Sequence, residues 1–280
     1  MRARIVFLLK NRGAYIPFHH QFLLAQVIKG IVLKGGDPGY ASFNIYNFSG
    51  LKGQTKPSRK GLHYYSTRVT LVVSSLNKSF IDYLLFHMFQ LPQIEIGGLI
   101  LQPEKVEMEN LDAVPQSDKF ICISPMVLVE PKIMDESSKE FIDPEKDEFS
   151  DFVYDVTLQR MEACSLFNTD KLSTFNEFQV VPDKEYLDKL NNANKKFSRI
   201  YPLYDQDVKF ELRGYTFPFT FYAAPEVKNF VFLNGIGALT HKGFGMVDIA
   251  NQDPNVRAEE YKIPGLEDFK VVPLPDQDIQ

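Results

Sequence analysis

The chain has 280 residues, of which 44% are hydrophobic and 24% are charged, which is typical of a globular protein with one large domain or two ordinary ones. No apolar run approaches the length of a membrane span, and no leader-like segment precedes the first predicted strand, so we expect a cytoplasmic protein. The two cysteines, Cys122 and Cys164, lack the spacing of a disulfide framework or a thiolate metal site. These features argue against a membrane protein and against a disulfide-rich secreted domain.

The net charge of −5 is distributed very unevenly along the chain. Residues 1–81 contain twelve basic residues and one acidic residue, a local charge of +11, whereas the remaining 199 residues carry −16. Binding to a polyanion requires Lys and Arg that are concentrated on one part of the surface. The pattern therefore predicts that the N-terminal part of the chain contacts nucleic acid.

The spacing of apolar residues predicts an N-terminal domain over residues 1–112. Its elements alternate as strand, helix, strand, strand, helix and strand, at residues 4–9, 18–33, 43–48, 64–74, 80–90 and 94–106. This is the order of the ferredoxin-like unit, which is also that of the RNA recognition motif. A basic loop joins the two middle strands and carries residues suited to phosphate contacts, namely Lys52, Lys56, Arg59 and Lys60, with Tyr64 and Tyr65 available for base stacking.

A second domain of similar size is predicted over residues 113–250. Helical patterns occupy residues 149–166 and 183–197, and β-rich runs occupy residues 120–131, 200–214, 215–224, 228–233 and 244–249. Residues 251–280 contain four prolines among acidic residues, so we expect an extended tail. The predicted fold class is α+β, with two tandem ferredoxin-like (RRM-like) domains.

A glycine-rich run, NGIGALTHKGFGMV, precedes the last predicted strand. Two pairs of glycines, Gly235 with Gly237 and Gly243 with Gly245, enclose a segment that contains His241 and Lys242. Glycines allow backbone amides to approach a ligand closely, so such a loop can bind phosphate oxygens. The alternative is a glycine-rich turn between strands. It is not a P-loop, because Lys242 is followed by neither Ser nor Thr.

The spacing of this run resembles the signature loop of the repeat-associated RNA-binding (RAMP) superfamily, and particularly of its CRISPR repeat-RNA processing endoribonucleases. Similar segments occur in the same order elsewhere, including IPFHHQFLLAQVIKGIV, FNIYNFSG, VTLVVSS and ISPMVLV. The resemblance covers about residues 1–250 and implies tandem ferredoxin-like domains that bind CRISPR repeat RNA (crRNA). It implies RNA contacts for Gly235, Gly237, His241, Lys242, Gly243 and Gly245, and it leaves proteins of an effector complex as further partners.

The same resemblance implies cleavage of precursor crRNA without a metal or another cofactor. A ribose 2′-OH attacks the neighbouring phosphate and leaves a cyclic phosphate and a 5′-OH. Such chemistry needs a proton acceptor, a proton donor and a cation that stabilises the phosphorane. The five histidines show no paired metal-ligand spacing, in keeping with this expectation.

Many members of the family carry a catalytic histidine between the first helix and the following strand, but residues 39–44 contain none. The resemblance aligns Lys29 with a functional tyrosine of some relatives. The remaining catalytic candidates are His20, Tyr40 and His63, and for His20 a structural role at the start of the helix is equally compatible with the sequence.

Three hypotheses follow. The first is a metal-independent endoribonuclease, and the second is a catalytically silent protein that holds repeat RNA or belongs to an effector complex. The third is a small-molecule enzyme with a phosphate-binding glycine loop, which would leave the +11 charge of residues 1–81 unexplained.

Overall fold

A computed structural model describes residues 1–129, 139–205 and 208–266 of the chain. The elements up to residue 109 are, in chain order, β1 (Arg2–Leu9), β2 (Tyr15–Ile16), α1 (Gln21–Lys34), α2 (Pro38–Ala41), β3 (Asn47–Phe48), β4 (Thr55–Ser58), β5 (Gly61–Tyr64), β6 (Arg68–Ser74), α3 (Lys78–Phe89), β7 (Ile94–Ile96) and β8 (Leu99–Glu109). Those that follow are β9 (Lys119–Cys122), β10 (Met126–Val127), α4 (Asp147–Ala163), α5 (Thr169–Leu172), β11 (Phe178–Pro182), α6 (Lys184–Asn192), β12 (Ser198–Asp205), β13 (Val208–Tyr215), β14 (Pro218–Ala223), α7 (Pro225–Asn234), β15 (Val247–Ile249) and β16 (Ala258–Glu260).

The first domain is built on an antiparallel sheet with the order β16–β8–β1–β6–β3. Without β16, this is the ferredoxin-like order, in which the fourth, first, third and second strands of a βαββαβ unit are neighbours. Residues on one face of β1, including Ile5 and Phe7, are buried against α1 and α3. Helix α1 contributes Leu24, Ile28 and Ile31 to this core, at helical spacing.

The second domain repeats this topology. Its sheet has the order β11–β14–β9–β15, and every neighbouring pair is antiparallel. Helices α4 and α7 occupy the crossover positions between its strands. The hairpin of β12 and β13 is inserted between β11 and β14, and β10 pairs with its second strand. Two ferredoxin-like domains in tandem are therefore confirmed, and the predicted boundary at residues 112–113 falls in the connection between β8 and β9.

Three segments differ from the prediction. Residues 228–233 were expected to form a strand but belong to helix α7, which begins at Pro225 and is buried on nearly all sides. The first part of the predicted tail contains strand β16, which pairs with β8, and Ile263, which enters the first core. Residues 267–280 of that tail lie outside the described residues. In the predicted basic loop, residues 55–58 form strand β4, which pairs with β5.

Buried charges join the two domains. Arg2 of β1 is completely buried, donates to the Val247 carbonyl at 2.7 Å and contacts Glu109 at 3.3 Å. Arg257 donates to Asp248 at 2.5 Å and also approaches Glu109 at 3.4 Å. We call Arg2, Glu109, Asp248 and Arg257 the interdomain charge cluster. Because β1 and β8 belong to the first domain and β15 to the second, this cluster fixes the position of one sheet relative to the other.

Among the described residues, no helix is long and apolar enough to cross a membrane. Within the same ranges, no three His, Cys, Asp or Glu side chains are grouped in a way that could hold a metal ion.

Candidate functional site

The glycine loop, residues 235–245, connects α7 to β15 and packs against the first domain. All four of its glycines have positive φ, between +71° and +86°. A Cβ at any of them would lie closer than 3.0 Å to other protein atoms, which belong to Asn47, Val127, Phe48 and Ile236. The glycines are therefore required by the close approach of the loop to β3 and β10 as well as by their backbone conformation.

The amides of three of these glycines are already bonded within the protein. Gly235 donates to Val231 at 2.7 Å, Gly243 donates to Thr240 at 2.9 Å, and Gly245 donates to Pro125 at 2.7 Å. These N–H groups do not form the phosphate-binding nest that the sequence suggested. The glycines are buried, whereas His241 and Lys242 between them are half-buried. Contact with a ligand at this loop therefore depends on the side chains of His241 and Lys242.

Arg160 of α4 holds the loop in place. Its guanidinium donates to the carbonyls of Asn234 at 2.5 Å, Gly235 at 2.7 Å and Gly237 at 3.0 Å, and to the Thr240 hydroxyl at 2.9 Å. Burial lowers the pKa of Arg160 to about 10, so the group stays charged at neutral pH. No local feature of the sequence indicates this role, because an Arg in an amphipathic helix usually faces solvent.

His241 lies in a short 3₁₀ turn, Thr240–Lys242, at the place where the glycine loop meets α1 and β3. Its ring approaches that of Tyr46 in an edge contact, with centroids 6.4 Å apart. Burial, together with the positive charges of Lys242, Arg160 and Lys29, lowers the pKa of His241 to about 4. The imidazole is therefore neutral near pH 7 and is surrounded by cations from both domains. We call Lys29, His241 and Lys242 the junction cluster.

Lys29 reaches this junction from α1. Its ammonium donates to the Ala41 carbonyl. Ala41 lies in the connection where the family resemblance predicts a catalytic histidine. Tyr40, in the same connection, packs instead among Phe80 and Tyr83, with ring centroids 5.4 Å and 4.8 Å away. Burial, and next the charge of Asp37, raises the pKa of Tyr40, so its phenol remains protonated at neutral pH. These contacts favour a packing role for Tyr40.

His20 is buried at the N-terminus of α1, and both of its ring nitrogens are bonded to backbone. Nδ1 lies 3.1 Å from the Pro17 carbonyl, and Nε2 accepts from the Leu51 amide at 3.4 Å. Burial also lowers the pKa of His20. These contacts are those of a neutral histidine that connects the start of α1 to the segment after β3. They favour the structural role over the catalytic role that the sequence left open for His20.

His63 lies in the basic hairpin, residues 55–64, which is formed by β4, β5 and the turn at Arg59 and Lys60. Its Nδ1 lies 2.7 Å from the Gly13 carbonyl, and its Nε2 lies 3.0 Å from the Ser58 hydroxyl. Lys56 and Tyr15 are its neighbours on the two adjacent strands. These two contacts attach the His63 ring to the hairpin and to the segment before β2.

The exposed surface of the hairpin carries cations beside aromatic rings. The Lys56 ammonium lies 5.2 Å from the centre of the Tyr65 ring, and the Lys60 ammonium lies 6.0 Å from that of Tyr15. Tyr64, which was also predicted to stack on bases, is instead buried and donates to the Leu51 carbonyl at 2.9 Å. Tyr15 lies on this surface instead of Tyr64, a position that was not predicted from the sequence.

Lys52 lies apart from the other basic residues of the predicted loop. Although the residue as a whole is exposed, desolvation lowers the pKa of its ammonium, with opposing contributions from Asp248 and from Arg2 and Arg4. The Lys52 ammonium therefore interacts electrostatically with the interdomain charge cluster.

Comparison with protein families gives a match over residues 107–249 to the model described as "CRISPR associated protein Cas6, C-terminal". This region is about half of the chain and includes the glycine loop and Arg160. The chain belongs to the Cas6 family. It is therefore a member of a family of CRISPR repeat-RNA processing proteins, as the resemblance implied. No curated protein shows a significant sequence match.

Solved structures support the Cas6 fold over nearly the whole length. A structure described as an RAMP protein binding different RNA substrates aligns with a TM-score of 0.72 and 20% identity, covering 90% of this chain and 100% of the other. A structure described as CRISPR associated protein Cas6 aligns with a TM-score of 0.70 and 18% identity, with coverages of 90% and 99%. The product of a Cas6-related gene from Pyrococcus furiosus gives 0.69 and 22%, again with coverages of 90% and 99%.

Proposed function

We propose that this Cas6-family chain binds CRISPR repeat RNA across its two domains and cleaves the precursor transcript without a metal ion. The observation that carries the proposal is the packing of the turn that holds His241 and Lys242, in the second domain, against β3 and against α1, the helix that holds Lys29. Lys29 from the first domain and Lys242 from the second act on the same neutral imidazole, that of His241. Two cations beside a group that can accept a proton are the components that attack by a ribose 2′-OH requires.

In the proposed reaction, the 2′-OH attacks the adjacent phosphate, and the 5′ oxygen of the next nucleotide leaves. The products are a cyclic phosphate and a 5′-OH. The pentacovalent phosphorane carries more negative charge than the phosphodiester, so Lys29 and Lys242 stabilise it more strongly than the substrate. A DNA strand lacks the 2′-OH and cannot react.

We assign RNA binding outside the junction to two basic surfaces. The basic hairpin offers Lys56, Arg59 and Lys60 to phosphates, with Tyr15 and Tyr65 for stacking. A groove of about 680 Å³ beside β12 is lined by Lys195, Lys196 and Arg199. His19, just before α1, contacts the second of these surfaces: its ring packs against that of Tyr201, which lines the groove, with centroids 4.6 Å apart.

A second candidate function is that of a silent protein that holds repeat RNA, alone or within an effector complex. The observation that favours it is the lack of a histidine in residues 39–44. Both candidates use the same RNA-binding surfaces, and they differ only in whether a bond is broken.

The deciding experiment incubates the purified chain with repeat RNA from its own CRISPR array, in EDTA, and identifies the product ends. The proposal expects one cut that leaves a cyclic phosphate and a 5′-OH, and no cut when the nucleotide before the scissile phosphate is 2′-deoxy. Tight binding of the unmodified repeat without any cut would refute cleavage and leave the silent binder. Cleavage of the deoxy substrate would refute attack by the 2′-OH.

A further inference from the structure

Cleavage by a 2′-OH needs a group that takes its proton, and the five histidines of the chain differ in whether they can do so. His20 and His63 have both ring nitrogens close to hydrogen-bonding partners in the protein. His87 packs between Tyr83 and Phe86, with ring centroids 4.5 Å and 5.2 Å away. For His19 and His241, no ring nitrogen is hydrogen-bonded within the part of the chain that the structure describes, and both side chains are half-buried. His19 packs against Tyr201 at the groove beside β12, so the two remaining candidates differ in position.

The turn that carries His241 packs against α1 and β3 of the first domain, and the imidazole contacts the Tyr46 ring. Lys29 of α1 donates to the carbonyl of Ala41, within the connection that lacks a histidine. The glycine loop therefore brings an imidazole from the second domain to the side of the first domain where none is encoded locally. Arg160 and the buried glycines hold the backbone on either side of this turn, so the imidazole is presented from a fixed loop.

We propose that His241 is the catalytic base, which accepts the proton of the attacking 2′-OH, while Lys29 and Lys242 stabilise the phosphorane. This inference rests on the cleavage proposed above and names the residue responsible for it. As the O2′–P bond forms, the proton of the 2′-OH moves to the imidazole. The P–O5′ bond breaks, the 5′ oxygen takes a proton from water, and the imidazolium later releases its proton to solvent.

The charges around His241 also make its pKa sensitive to bound RNA. In the free protein, Lys242, Arg160 and Lys29 disfavour the imidazolium, so the group is neutral but weakly basic. A phosphate bound between these cations offsets part of their field and raises the pKa of His241 toward neutrality. A base whose pKa lies near the working pH is more effective, so His241 becomes a better proton acceptor when substrate is present.

The test compares His241→Gln with His87→Gln, which replaces a histidine whose ring packs between Tyr83 and Phe86. Single-turnover cleavage of repeat RNA should slow by roughly 10²- to 10⁴-fold in His241→Gln and remain near the wild-type rate in His87→Gln. Affinity for a 2′-deoxy repeat, which binds without reacting, should fall far less than the cleavage rate in His241→Gln and should be unchanged in His87→Gln. Added imidazole should restore part of the activity of His241→Ala, which a purely structural residue would not allow.

Several outcomes would overturn the inference. Wild-type rates in His241→Gln would remove His241 as the base and leave the proposed cleavage intact. A loss of cleavage in His19→Gln with full activity in His241→Gln would move the base to the groove beside β12. If the wild-type chain itself binds repeat RNA but does not cut it, the proposed cleavage fails and the assignment of His241 fails with it.

Discussion

At the scale of single residues, Arg160 shows how much of the candidate site depends on one side chain. Its guanidinium satisfies three carbonyls and one hydroxyl of the segment around the glycine loop. We expect Arg160→Ala to lower the free energy of unfolding by about 2–4 kcal/mol, because these buried acceptors would lose their partners. Urea denaturation measures the effect. Arg213→Ala is the matched control, since within the described residues Arg213 donates to the exposed carbonyl of Lys139 and lies 5.6 Å from the centre of the Phe141 ring. A similar loss in both variants would contradict the assigned role.

Two glycines with similar backbone conformations allow the energetic cost of backbone strain to be measured apart from the cost of steric overlap. Gly36 and Gly245 have φ of +80° and +71°, but a Cβ at Gly36 meets nothing within 4 Å, whereas one at Gly245 would overlap the Ile236 carbonyl. Gly36→Ala should therefore cost about 1–2 kcal/mol from the left-handed conformation alone. Gly245→Ala should cost more, because the loop must also move. Equal losses in thermal or urea unfolding would mean that packing around the loop is looser than the structure indicates.

At the scale of elements, the basic hairpin can be tested apart from the junction cluster. Lys56 and Arg59 are exposed, so the double charge reversal Lys56→Glu with Arg59→Glu should leave the unfolding transition unchanged. It should weaken binding of repeat RNA and reduce the dependence of affinity on salt concentration, because fewer counterions are released. The control is Lys184→Glu with Lys189→Glu on α6, also an exposed pair. Unchanged affinity at moderate salt would remove the hairpin from the interface.

The elements also indicate what the sequence could predict. Helices α1, α3 and α4 have one apolar face, and their apolar spacing located each of them to within a few residues. Helix α7 was predicted as a strand, because it is buried on nearly all sides and its sequence therefore lacks a polar face to reveal the helical period. Strand β16 was assigned to a tail, since its pairing with β8 is a long-range contact that local composition cannot reveal.

The same limit applied to the candidate site. His241, Lys242 and Lys29 were each identified from the sequence, through the glycine-rich run and the family resemblance. That they meet could not be predicted, because the glycine loop and α1 belong to different domains. Arg160 left no local signal, and His20 and His63 could be separated from His241 only by their hydrogen bonds.

At the scale of the whole molecule, the two domains have opposite charge balances and are joined by the interdomain charge cluster. The cluster sets the distance between the basic N-terminal domain and the glycine loop, so it also determines whether Lys29 can reach His241. A mutation in it should therefore affect both stability and cleavage, although it touches no proposed RNA contact.

The sharpest test of this coupling is Asp248→Asn. Asp248 lies within 3.6 Å of Arg2 and 2.5 Å of Arg257, and both arginines are buried. Removing the carboxylate leaves buried positive charge with less compensation, so the free energy of unfolding should fall by about 3–5 kcal/mol in urea. Glu104→Gln, which breaks the exposed pair with Arg68 on the same sheet, should cost less than about 1 kcal/mol. If the junction depends on the cluster, Asp248→Asn should also slow cleavage at temperatures where it remains folded, whereas Glu104→Gln should not. Equal stability of the two variants would mean that the cluster does not hold the domains together.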